Sequence, residues 1–148
     1  MDHVVYLDAK AKELELLFSK QKSMLIRGAA GRKMPHDRVF VGDFLYLINN
    51  NAEGHILART RVKSVLNSEK MSPEDSIALV DKHAIQLNLS KKQYERWAGK
   101  RYLVLIEVDQ VEEIEPFKID KSNYGNMDDW LPVETIESVK LKAKASGE

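Results

Sequence analysis

Six cations fall within the twenty-four residues from Ser19 to Gly42, namely Lys20, Lys22, Arg27, Arg32, Lys33 and Arg38, with Asp37 as the one carboxylate among them. Such a cluster suits an anionic ligand. Arginine offers a planar fork that holds a phosphate or a base edge in two parallel hydrogen bonds, whereas lysine offers a point charge. Gly28 and Gly31 flank Ala29 and Ala30 in the middle of the cluster, where glycine lets backbone N–H groups approach a ligand closely. The competing reading is a solvated loop whose charges face water, with Arg27 paired to a helix carboxylate. Among the aromatics, Trp97 in ERWAGKRY lies between cations, so it either stacks on a base or packs its helix against the core. Trp130 in MDDWLP sits among acids and reads as a packing anchor.

Other chemistries find little support. The four histidines, His3, His36, His55 and His83, have no neighbouring ligand partners, so no metal is expected. GAAG lacks the lysine and hydroxyl of a phosphate-binding P-loop, so neither a nucleoside triphosphate nor another cofactor is implied. A catalytic lysine needs a pKa lowered by burial or by neighbouring cations, and Lys22 is the one candidate.

The elements that must position these groups follow from periodicity. His3 to Leu7 reads as a strand. Asp8 then caps an amphipathic helix of about three turns, with Ala11, Leu14, Leu17 and Phe18 inward and Glu13 and Glu15 mostly outward. Ser23 to Arg27 forms a second strand, and Gly28 to Asp37 a loop. VGD at Val41 to Asp43 turns the chain into the apolar strand Phe44 to Ile48. Asn49 to Gly54 makes a hairpin into His55 to Leu66, where Ile56, Ala58, Thr60, Val62, Ser64 and Leu66 share one face. Ser72 and Ser90 cap two helices. The first buries Ile77, Val80, Ala84 and Leu87, and the second ends at Gly99. Tyr102 to Val108 is apolar enough for a central strand, Val111 to Phe117 continues a sheet edge, and the chain turns at Pro116. Trp130, Leu131, Val133 and Ile136 dock a last irregular segment and a short helix.

The fold class is therefore α+β, a small, mostly antiparallel barrel decorated by helices. One domain over residues 1–139 and a frayed tail over 140–148 are expected from the 148-residue length and the polar end. The absence of cysteine and of a leader or spanning segment points to a cytoplasmic protein. With 23 basic and 23 acidic residues the chain is neutral, but its acids crowd the last third, which predicts a polarised surface.

In order, these motifs resemble the PUA-like superfamily, in particular ASCH domains and related uncharacterised archaeal families. The resemblance rests on Lys20, Lys22, Leu25 and Arg27, then Val41, Gly42 and Asp43, then Phe44 to Ile48. It continues with the hairpin strand ending in Arg61, Val62, Lys63, Ser64 and Val65, a helical insertion, and Tyr102 to Val108. It covers roughly Val4 to Ile119. It implies a pseudo-barrel whose cleft faces the loop after the Lys and Arg strand, and an RNA or a modified nucleotide as ligand. Some ASCH proteins are instead amidohydrolases of acylated cytidine with a Lys, Thr and Glu set. Lys22 matches that lysine, while Leu25 and Leu87 stand where the hydroxyl and carboxylate would be. A non-catalytic binding module is thus expected, with Lys22, Arg27, Arg32, Lys33, Arg38 and Trp97 at the ligand and no membrane partner. The alternatives are a Lys22-centred nucleoside or amide hydrolase, or a protein-interaction domain using Asp128 to Leu131. A homo-oligomer is left open.

Overall fold

The structure, a computed structural model, describes residues 1–120 and 129–141. Tyr124, Asp128 and most of the expected tail lie outside the described residues. Seven strands form one curled mixed sheet in the order β2-β5-β4-β3-β1-β7, with β6 also paired to β4. They are β1 (Asp2–Leu7), β2 (Met24–Ala29), β3 (Phe44–Asn49), β4 (His55–Asn67), β5 (Tyr102–Val108), β6 (Glu112–Lys118) and β7 (Trp130–Pro132). Every pairing is antiparallel except β1 with β3. The helices are α1 (Glu13–Phe18), α2 (Pro73–Lys82), α3 (Ala84–Leu87) and α4 (Lys91–Trp97), and a 3-10 turn spans Ile136–Val139. This is an α+β fold, a curled half-barrel decorated by helices.

The long β4 bends the sheet. Its first half pairs with β3 and β6, its second half with β5, and the register shifts between Val62 and Ser64. That bulge reverses the expected alternation, as an extra residue must. Ile56, Ala58, Thr60 and Val62 are buried, but Ser64 and Leu66 turn outward and Val65 packs inward. β5, between β2 and β4, buries Leu103 to Ile106 on both faces, one into the barrel core and one under the helices.

Local departures have local causes. α1 is shorter than its periodicity suggests, because Lys12 adopts a left-handed conformation (φ 55°) and Asp8 caps only the preceding turn through Ala11 N–H. α2 has Ser72 as N-cap, but it buries Ser76, whose hydroxyl accepts from Gly99 N–H, and leaves Ile77 exposed; it ends at Lys82, so Ala84, also exposed, and the buried Leu87 belong to α3. Ser90 and Gln93 close a reciprocal capping box on α4. Pro116 lies within β6, where the register with β4 shifts, and makes no turn; an edge strand tolerates its missing N–H.

Candidate ligand cleft

A cleft of about 820 Å³ opens where the sheet fails to close, between the end of β2 on one side and the start of β7 on the other. Its lining includes Arg27, Gly28 and Ala29 of β2, Lys33 and Met34 of the following loop, Arg96 and Trp97 of α4, Lys100, and Asp129 with Trp130 at β7. Three of the described elements thus converge on one opening.

Arg27 bridges that gap. One guanidinium nitrogen donates to the Tyr6 carbonyl of β1 at 2.7 Å and the other to the Ile26 carbonyl at 2.7 Å, while Nε has no partner among the described residues. Its Cζ lies 5.9 Å from the Trp97 ring and 5.7 Å from the Trp130 ring, so the cation is flanked by two indoles. Burial pushes its pKa down, and the carboxylates of Glu13 and Asp129 act against that. It stays protonated, as arginine does.

Gly28 is needed beside it. A Cβ there would stand 2.7 Å from Leu103 Cδ2 and 3.1 Å from the Tyr102 carbonyl, so β5 passes too close for any side chain. The rim is cationic. Lys33 and Lys100 are exposed, and Arg96 lies 4.3 Å over the Trp97 ring while bonded to Asp129 at 3.2 Å.

The structure brings Arg27, Lys33 and Trp97 to this cleft and leaves the other expected site residues outside its lining. Arg32 sits 5.6 Å over Tyr102 and 3.4 Å from Glu69. Arg38 is exposed further along the loop. Lys22 is buried under α1 and α3, where Nζ donates to the Leu87 carbonyl and lies 3.3 Å from Glu13 Oε2. Burial lowers its pKa, and Glu13 opposes this. Leu25 and Leu87 are wholly buried in hydrocarbon. Trp130 and Leu131, in the segment expected as an interaction alternative, are buried within β7, and Trp130 borders the cleft.

Sequence reasoning missed Arg96, Lys100, Asp129 and Trp130 as cleft residues. ERWAGK had singled out Trp97, and the flanking cations Arg96 and Lys100 were the available signal; nothing local pointed to residues 129 and 130. Among the described residues no group of three or more His, Asp or Glu side chains is placed to hold a metal ion. No described helix is long and apolar enough to cross a membrane.

The comparison with solved structures supports an ASCH/PUA-like fold. The chain is similar to the crystal structure of ASCH from Zymomonas mobilis at a TM-score of 0.61 and 15% identity, over 90% of this chain and 89% of that one. Two point variants of that protein match at TM-scores of 0.60 and 0.61 with 14% identity, each over 86% of this chain. No protein-family model matches the sequence, and no curated protein matches it by sequence.

Proposed function

We propose that the cleft binds a single-stranded RNA or a modified nucleotide without transforming it. Phosphates sit on Lys33, Lys100 and Arg96 at the rim, and a base lies over the floor formed by Arg27 between its two indoles. The observation that carries the reading is Arg27 itself: a charged fork in the wall of an open polar cleft, flanked by Trp97 and Trp130, with Nε unpaired among the described residues. Aromatic faces and guanidinium planes accept bases of any sequence. Arg32 and Arg38 extend the cationic loop along which a longer strand would run.

Binding is favoured over hydrolysis by the state of Lys22. Its ammonium is committed to Glu13 and to the Leu87 carbonyl, and no hydroxyl stands at Leu25 to relay a proton. Titration of labelled oligonucleotides, RNA and DNA, at several salt concentrations tests the reading. Three to four neutralised phosphates predict a slope of log K against log salt of about −2 to −3. Absence of RNA and nucleotide binding, or RNA affinity indifferent to salt, would count against it.

A further inference from the structure

His3 is fully buried behind Trp130 and is, among the described residues, the side chain bonded to its indole nitrogen. Trp130 Nε1–H lies 3.1 Å from His3 Nδ1, and His3 Nε2 lies 2.9 Å from Asp43 Oδ2. An indole N–H only donates, so Nδ1 must be the acceptor and the proton must sit on Nε2, where it is donated to Asp43. The neutral Nε2–H tautomer is thereby dictated by both neighbours. The rings also meet edge to face at 6.0 Å. Asp43, in the VGD turn before β3, additionally accepts from Phe40 N–H at 3.0 Å, and the Met1 amino group lies 3.3 Å away.

We infer that His3 is a positioning residue for the cleft, holding Trp130 against Arg27 only while its imidazole is neutral. The inference rests on the reading of the cleft as the ligand site. Protonation would put a second N–H on Nδ1, facing the indole N–H donor to donor, and Trp130 would lose its partner. The wall that flanks Arg27 would then shift, and ligand affinity would fall. The charged groups facing His3 act in both directions. Burial, the largest influence, keeps it neutral, the Asp43 and Asp2 carboxylates favour the imidazolium, and the Met1 amino group opposes it. The net displacement is below the ordinary histidine value of 6.5, so the device operates on the acid side of neutrality.

An oligouridylate probe isolates the protein's titration, because neither phosphodiester nor uracil changes charge between about pH 5 and 8. Wild-type affinity should fall on acidification by up to about tenfold per pH unit below the His3 transition, the limit for one competing proton. His3→Asn supplies an amide oxygen in place of Nδ1 and cannot titrate. It should keep the neutral-pH affinity and lose the acid-side fall, although His36, His55 and His83 remain. A ligand-free readout separates this from the RNA reading: Trp130 emission in Trp97→Phe protein should show a one-proton step that His3→Asn removes. A step without RNA binding would leave His3's role standing and sink the RNA reading. Matching pH profiles with and without His3 would overturn the inference. Should His3→Asn fail to fold, the wild-type Trp130 indole N–H resonance decides, since its failure to move across that pH range overturns it equally.

Discussion

Removing the charge of Glu13 should destabilise the protein far more than an exposed carboxylate would. The Lys22 and Glu13 side chains are 1% and 4% exposed, 3.3 Å apart, and enclosed by α1, β2 and α3. Glu13 also accepts from Asp8 N–H at 3.0 Å and Gln93 Nε2 at 3.4 Å, while Lys22 donates to the Leu87 carbonyl. Glu13→Gln preserves shape and hydrogen-bonding capacity but leaves a buried ammonium with no counter-charge. Breaking a buried pair in this way costs about 3 to 5 kcal/mol, and the retained amide oxygen places this case near the lower end. For a chain of 148 residues, about 3 kcal/mol lowers Tm by roughly 6 to 12 °C. Adding Lys22→Met removes the orphaned charge and should restore most of the loss. The pH dependence has a definite sign. Lys22 titrates below its ordinary value of 10.5 in the folded state, so between the folded and unfolded values the unfolded chain holds more protons and stability rises with pH. Without the Glu13 charge that rise should begin at lower pH. Urea unfolding followed by circular dichroism measures all three proteins. A Glu13→Gln change under about 1 kcal/mol, or a double variant weaker than the single one, would refute the argument.

Two further outcomes follow from the cleft. Gly28→Ala should cost about 1 to 3 kcal/mol, since its Cβ would meet the Tyr102 carbonyl and Leu103 of β5, and thermal unfolding will read this directly. An unchanged Tm would mean that β2 and β5 separate freely there. Lys100→Ala should leave stability unaltered and reduce the steepness of the RNA salt dependence by about 0.7, one phosphate contact. An unchanged slope would remove Lys100 from the ligand contacts.

The sequence carried those parts of the fold that depend on neighbours in the chain. Ser72 and Ser90 cap α2 and α4 as their spacing requires, and the alternation of β4 holds from Ile56 through Val62. It fails at Ser64 because a bulge is a relation between strands, set by how β4 meets β5. Glu13 shows the same limit. It stands among surface-like charges in α1, and only the return of β2 brings Lys22 beneath it. Arg27, Lys33 and Trp97 were legible as site candidates from residue type and local company. Trp130 was legible as a buried ring but not as a cleft wall, because its place beside Arg27 comes from pairing β7 with β1, more than a hundred residues away in sequence.

Both tryptophans of the chain border the cleft, which makes one measurement decisive. In a ¹H–¹⁵N correlation spectrum the two indole N–H resonances are separate from the backbone and can be followed while a short single-stranded RNA is added. The account predicts that both move together and saturate at the same RNA concentration, and that Arg27→Met abolishes the movement while the protein stays folded. Saturable RNA binding that leaves both indole resonances in place would contradict it.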